Sequence, residues 1–443
     1  MSKQNWFVVP TAPRLAALTG VCLILLAAGC DKKKGGGEST TSGPTADKGG
    51  PPADKGGGDS GTPGVTATEI KIGQTMPFSG PQSAYGVIGK AEAAYFKMIN
   101  EKGGINGRKL NLIQYDDSYT PPKTVEQIRK LVESDNVAFI FQSLGTGPNT
   151  AIQKYLNDKK VPHLFIATGA DKWANPQQFP WTMGWQPSYR TEAKIYAMYL
   201  QKEKPNAKLC VLYQNDDFGK DYVKGLQDAL GDKYDKVVVK ALGFEASAPT
   251  VDSELVTLQG AGCDTLMSAV TPKHGAQTIR KVFDLGWKPL HLLSNVSISR
   301  AVVLEPAGLD KSTGIITGQY LKDPSDPALA DDPAIKDYKA FMKQYLPDID
   351  VNDGNALYGF AVSGTLVKVL TDCGKDVTRE NIMKKAASLK NLPVPAAIEG
   401  IVINTSATDF RPIEQMRLAK FNGTSFEKMG ELFSADTSTT ASR

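Results

Sequence analysis

Histidine is scarce in this chain, with three residues among 443, His163, His274 and His291. None lies in an H-E-x-x-H arrangement or near a second ligand at metal spacing, and no G-x-S-x-G elbow occurs, so neither metal-dependent nor serine-type hydrolysis is indicated. Cysteine is nearly as sparse. Cys22, Cys30, Cys210, Cys263 and Cys373 form no C-x-x-C pair and have no regular spacing, which argues against a zinc site or a disulfide framework. A strong charge of one sign is also missing: 51 Lys and Arg face 47 Asp and Glu, and no nucleic-acid partner is expected. The leading apolar run, Leu15–Ala28, falls short of the roughly 20 residues that a membrane-spanning helix needs.

That run follows Lys3 and Arg14 and precedes Gly29, the pattern of an export signal over residues 1–29. Its ending, LLAAGC, resembles a bacterial lipobox, with Ala27 where Leu is commoner. The resemblance implies lipidation of Cys30 and attachment of the mature chain to a membrane face, plain secretion being the alternative. Residues 31–64 contain ADKGG twice and no large apolar side chain. Such a segment cannot build a core; together with Cys30 it reads as a flexible linker over 30–64, spanning roughly 30 Å. The folded part is expected to start near Val65.

From there strand and helix patterns alternate, and 443 residues exceed what one core usually fills. The expectation is an α/β protein of two doubly wound parallel-sheet lobes. In the first lobe, strands Glu69–Thr75, Leu110–Tyr115, Val137–Phe141 and Pro162–Ala167 are expected, and three strand ends carry small polar loops. Ligands of such sheets bind at the carboxyl ends of the strands. The pattern restarts after Trp185 with helix Ser188–Gln201 and strand Lys208–Tyr213. Later, Gly400–Ile403 reads as a strand and Glu414–Gly423 as a closing hairpin.

One stretch organises the first lobe. In Val137–Gln153, VAFIFQSLGTGPNTAIQ, a β-branched and aromatic run breaks into a Ser/Gly/Thr loop, and Pro148 suits a helix start. The first turn would offer free N–H groups to an anion or a carbonyl, unless it is an ordinary strand-to-helix turn. Asp116–Asp117 and Asp216–Asp217 also end strands; their alternating side chains diverge, and they read as turn or cap residues rather than a catalytic pair.

Five segments resemble the solute-binding lipoproteins of ABC importers, in the branched-chain amino-acid type family: EIKIGQTMPFSGPQSAYG, INEKGGINGRKLNLIQYDDSYTP, KLVESDNVAFIFQSLGTGPNTA, VPHLFIATG and LCVLYQNDDFGKDYVKG. The resemblance covers nearly all of Val65 to Gly430. It implies a periplasmic binding protein type I fold, with lobe 1 over 65–185 and 318–403 and lobe 2 over 186–317 and 404–443. Three crossovers are expected, near Trp185–Pro187, Thr317–Gln319 and Ile403–Pro412. It also implies hinge closure over a small organic solute, a branched-chain or related amino acid, that is delivered to an ABC permease in the membrane, without catalysis and without a cofactor. Ser143, Leu144, Gly145 and Thr146 match the segment that holds a ligand carboxylate. Ala167, Thr168, Gly169 and Ala170 match the second such loop. Phe218 and Tyr85 stand where aromatic side chains cover the ligand, and Thr271 and Asn295 belong to the facing loops of lobe 2.

The family's amino-acid binders place a carboxylate from lobe 2 against the ligand ammonium. Here that loop reads SNVSIS, with Asn295 and no acid. Either another acid such as Asp117 or Asp171 serves, or the ligand is an aromatic or aliphatic carboxylate, or an amide, without an amine. His274, at another lobe-2 loop, is either a pairing group for an anion or a solvated residue. A ligand-binding sensor using the same fold, with signalling supplied by a separate protein, is the remaining alternative to transport.

Overall fold

The structure, a computed structural model, describes residues 61–434. The export signal over 1–29, Cys30 and most of the 30–64 linker lie outside the described residues, as do residues 435–443. Residues 61–64 correct the expected start of the fold. Gly64 has φ +72°, and a Cβ there would stand 2.4 Å from the Ala138 backbone nitrogen. Its carbonyl accepts from Lys71 N–H at 2.8 Å. Only glycine meets both conditions, so a residue that composition assigns to the linker is a packing element of the first sheet.

The first sheet is wholly parallel, in the order β2-β1-β3-β4-β5. Its strands are β1 (Glu69–Met76), β2 (Lys109–Asp116), β3 (Phe139–Phe141), β4 (His163–Ile166) and β5 (Thr182–Gly184). Helices α1 (Gly86–Glu101), α2 (Pro121–Arg129) and α3 (Thr146–Asp158) connect them. Residues 139–141 and 163–166 are buried throughout, as expected of central parallel strands covered on both faces. The GGINGRK turn leads from α1 into β2, the edge strand, with Gly103, Gly104 and Gly107 all at positive φ.

Past β5 the chain enters α4 (Tyr189–Glu203), which packs on α5 (Asp217–Leu230) over the second sheet. That sheet begins with β6 (Leu209–Gln214), β7 (Val238–Phe244), β8 (Thr265–Ala269), β9 (Leu290–Leu293) and β10 (Ile316–Gln319), with α6 (Asp252–Gly260) and α7 (Pro272–Asp284) between. After β10 the chain returns through α8 (Pro333–Tyr345), α9 (Gly354–Cys373) and α10 (Arg379–Ala386). Helix α9 packs against α1, and Trp185 Nε1 donates to Thr365 Oγ1 at 3.1 Å, tying the first crossover to this helix. Polar residues start these helices: Ser188, Asp216, Asp353 and Thr378 each accept from first-turn amides of α4, α5, α9 and α10.

Two strand expectations need correction. Of Gly400–Ile403, only Val402–Ile403 (β12) is extended, and it pairs with Leu392–Pro393 (β11) outside both large sheets. The closing hairpin does not turn within Glu414–Gly423: β13 (Gln415–Phe421) continues through Asn422–Ser425 into β14 (Phe426–Ser434). The Asn422 side chain accepts from the amides of Thr424 and Ser425, and Gly423 has φ +99°. The hairpin therefore turns at Asn422–Ser425 and extends beyond the expected Glu414–Gly423. The completed second sheet runs β14-β13-β10-β9-β8-β6-β7. Among the described residues no helix is long and apolar enough to cross a membrane.

Cys210 in β6 and Cys263 before β8 form a single disulfide with Cα atoms 5.7 Å apart, a pairing that the linear spacing left open. Parallel pairing of β6 with β8 brings together residues 53 positions apart. A loop of that length implies about 4 kcal/mol of stabilisation from chain entropy, with measured cases usually lower. The double change Cys210→Ala and Cys263→Ala should therefore lower the unfolding free energy by about 2–4 kcal/mol in urea titration, while dithiothreitol leaves that variant's midpoint unmoved.

Candidate functional site

Both lobes wall a cavity at the carboxyl ends of their strands. Its volume is about 130 Å³, room for several waters or one small organic molecule. The lobe 1 wall is the turn from β3 into α3. Gly145 has φ +100°, and a Cβ there would meet the Tyr119 ring at 2.3 Å, so glycine lets the aromatic ring lie on the loop. Asn149 pins the turn from behind, its Nδ2 donating to the carbonyls of Ser143 at 2.8 Å and Gly145 at 2.7 Å. His163 Nε2 in turn donates to Asn149 Oδ1 at 2.8 Å. Burial pushes this imidazole down to about 3, so it is neutral and structural. The amide of Gly145 donates to the Ala167 carbonyl, and the hydroxyls of Thr146 and Thr168 bond to each other on the cavity wall.

Of the residues expected in the site, Tyr85, Leu144, Gly145, Thr146, Ala167, Thr168, Phe218, Thr271 and Asn295 line the cavity. Three do not. The Ser143 hydroxyl faces away and bonds Thr75 Oγ1 at 3.1 Å, because the side chain turns back onto β1 at this end of the strand. Gly169 lies under the crossover: a Cβ there would stand 2.5 Å from the Pro187 carbonyl oxygen, and its own carbonyl accepts from Tyr189 N–H at 2.8 Å. Ala170 is buried in the core. Sequence reasoning missed Tyr119, Tyr189, Tyr320 and Tyr358, which also line the cavity. The signal available was weak: Tyr119 closes DDSY at a strand end, and Tyr189 directly follows the first crossover.

The lobe 2 wall rests on a carboxylate. Glu192 of α4 is fully buried beneath Asn295 and accepts the Asn295 backbone amide on Oε1 at 2.9 Å. Its Oε2 accepts from Asn295 Nδ2 and from the Tyr222 hydroxyl at 2.6 Å, and the Tyr196 hydroxyl approaches Oε1. Tyr222 stacks on Tyr189 with centroids 5.4 Å apart, and Tyr189 meets Phe218 edge-on at 4.8 Å. Burial pushes the Glu192 carboxyl up to about 7, against the downward pull of the hydrogen bonds from Tyr196, Tyr222 and Asn295.

The other expected partners for ligand charge are occupied away from the cavity. Asp117 accepts from Tyr119 N–H at 2.9 Å and Thr124 Oγ1 at 2.7 Å, closing a turn. Asp171 accepts from the Ser188 hydroxyl and pairs with Arg190 and Arg411. His274 is neither solvated nor at the mouth: its Nε2 donates to the Ala248 carbonyl at 2.9 Å, and Phe244 packs on the ring. Among carboxylates, Asp323 does line the cavity, as do Arg300 and Lys322, and its Oδ1 accepts from the amide and hydroxyl of Ser325. Contacts between the lobes flank the cavity. Tyr85 OH donates to the Val296 carbonyl at 3.0 Å, Ser299 Oγ to Asp353 at 3.4 Å, and Lys172 pairs with Asp217 at 3.0 Å.

The model of the periplasmic binding protein family matches residues 69–425. The chain belongs to that family. Among curated relatives, the Leu/Ile/Val-binding protein homolog 3 of Brucella melitensis is 27% identical over 235 residues, 51% of this chain and 60% of that protein. The chain therefore spans less than two thirds of the length of the curated relatives it matches. Among solved structures, a branched-chain amino acid ABC transporter protein from Thermus thermophilus with bound valine aligns with TM-score 0.75 at 18% identity, covering 84% of this chain and 98% of that one. A solute binding protein of an ABC transporter from Rhodopseudomonas palustris, in complex with 3,4-dihydroxybenzoic acid, aligns with TM-score 0.69 at 17% identity, covering 83% and 98%. At such identities the likeness shows the fold, a periplasmic binding protein type I architecture of two lobes.

The raised Glu192 pKa has a definite sign for stability. Its contribution is fully present below the ordinary value of 4.5 and is lost as pH rises through about 7. The loss is on the order of 3 kcal/mol. Relative to the Glu192→Gln variant, which has no carboxyl to ionise, the wild-type Tm should fall between pH 4.5 and 7.5; parallel Tm profiles would contradict this.

Proposed function

We propose that this protein is an extracytoplasmic solute-binding protein, which captures a small organic carboxylate between its lobes and presents it to the membrane permease of an ABC importer. The carrying observation is the contrast between the two cavity walls. On lobe 1, the Thr146 hydroxyl stands at the start of α3, where first-turn amides and the helix dipole favour an anion, and the Thr168 hydroxyl from the loop after β4 bonds to it. On lobe 2, both Glu192 oxygens already accept hydrogen bonds, so this acid has no ready position for an ammonium. Valine and 3,4-dihydroxybenzoic acid, the ligands of the two structural neighbours, share a carboxyl group and differ in the ammonium. The aromatic lining from Tyr85, Tyr119, Tyr189, Phe218, Tyr320 and Tyr358 suits an apolar or aromatic body.

A branched-chain or related amino acid is the second reading, favoured by the Leu/Ile/Val-binding relatives and by Asp323 on the cavity wall. The proposal includes export through residues 1–29, acylation of Cys30, and the Gly-rich segment as a tether, with lobe limits at 185, 317 and 403. It also includes binding without turnover. In support, His163 and His291 are buried and held by Asn149 and Ser268, and none of the three histidines lines the cavity. Separation of the lobe contacts at Tyr85 and Lys172 would open the cavity, in line with hinge closure.

A thermal-shift screen tests the ligand class: benzoates and short fatty acids against branched-chain amino acids. A ligand at 100 times its dissociation constant stabilises the fold by about 2.7 kcal/mol. Carboxylates without an amine should raise Tm; shifts confined to free amino acids would overturn the reading and favour Asp323 as the ammonium partner. The change Thr146→Val with Thr168→Val should weaken binding of any active carboxylate about tenfold or more, roughly 1.4 kcal/mol, by calorimetric titration. Ser143→Ala should instead cost about 1 kcal/mol of stability and leave affinity within about twofold.

A further inference from the structure

A family binder with an amide where an acid is expected presents a specific question: which end of that amide meets the ligand. Glu192 answers it. Above about pH 7 the Glu192 carboxyl is ionised and can only accept hydrogen bonds, and both the backbone N–H and the Nδ2 of Asn295 are turned onto it. No hydrogen bond to Asn295 Oδ1 is present among the described residues, and Asn295 lines the cavity. The carboxylate is itself held in place. Tyr222 and Tyr196 hold it, and Tyr222 is packed by stacking on Tyr189.

We infer that Glu192 is a positioning residue that fixes the Asn295 carboxamide with its oxygen toward the cavity, so that the site selects a ligand carrying a neutral N–H or O–H donor opposite its carboxylate. The inference rests on the carboxylate reading proposed above and adds the chemistry of the far end. An acid at this position would attract a cation. An amide oxygen attracts a neutral donor and leaves an acceptor-only group facing another acceptor, which is disfavoured because neither gains a hydrogen bond. Replacing Glu192 by an amide supplies a donor of its own, which lets the Asn295 carboxamide turn over and present Nδ2 instead.

The test uses the full chain and calorimetric titration with benzoate, 4-aminobenzoate, whose amine donates, and 4-formylbenzoate, whose carbonyl only accepts. Wild type should bind 4-aminobenzoate at least tenfold more tightly than 4-formylbenzoate. In Glu192→Gln that ratio should fall by tenfold or more, through gain of the acceptor probe as well as loss of the donor probe. A purely structural role would weaken both probes alike and keep the ratio, and that result would overturn the inference. Should Glu192→Gln not fold, Asn295→Leu decides: the two probes should become equal, and a retained preference would assign the discrimination elsewhere. Benzoate failing to bind wild type would count against the carboxylate reading itself, whereas benzoate binding with no difference between the substituted probes would count against Glu192 and Asn295 alone.

Discussion

The hydrogen bond from the Tyr189 amide to the Gly169 carbonyl joins the two halves of the site at the point where the chain first leaves lobe 1. Around it the Tyr189 ring packs on Gly169, meets Phe218 edge-on and stacks on Tyr222, whose hydroxyl reaches Glu192. A single aromatic side chain therefore connects a lobe 1 binding loop, the covering aromatic ring of lobe 2 and the buried acid. Any side chain at 169 would strike the crossover backbone, so the small residue there serves the connection rather than the ligand. The ring contacts are each worth only about 0.5–1.5 kcal/mol beyond their buried area, but they are arranged in series, which orients the groups at both ends.

Burying Glu192 is unfavourable in itself, and the surroundings offset this with donors rather than with a countercharge. Tyr196, Tyr222 and two N–H groups of Asn295 converge on it, and no Lys or Arg pairs with it among the described residues. The result differs from an ion pair in what it passes on to the cavity. An ion pair would present neutralised charge, whereas this cluster presents an amide of defined orientation. The lobe 1 wall is also set from behind, by His163 acting through Asn149 on the carbonyls of the ligand loop. Both walls thus rely on buried polar groups that never reach the cavity themselves.

Much of the fold was legible because its signals are local. Short β-branched and aromatic runs alternating with capped amphipathic segments specify parallel strands and covering helices, and strand ends such as QSLGTG and ATGAD mark where a ligand can approach. Nine of the site residues that the family resemblance implied line one cavity, because the loops carrying them sit at the strand ends. The misplacements are of one kind. Ser143 faces Thr75, and Gly169 faces Pro187, because the direction of a side chain at a strand end depends on a twist and a crossover formed by distant residues.

By itself the sequence determined the two parallel-sheet lobes, the crossovers joining them, the lobe 1 loops at the cleft and the missing acid in SNVSIS. The strands, helices and polar strand ends follow from periodicity and turn chemistry within some twenty residues, whereas the crossovers, the ligand loops and the absent acid were legible only through the resemblance to the solute-binding family. Tertiary structure alone decided the Cys210–Cys263 bridge, the aromatic lining from Tyr119, Tyr189, Tyr320 and Tyr358, and the placement of Glu192 under Asn295, a partner 103 positions away. Helix α4 shows only an ordinary Glu in its first turn, and a buried carboxylate cannot be told from an exposed one until the sheet it packs against is in place.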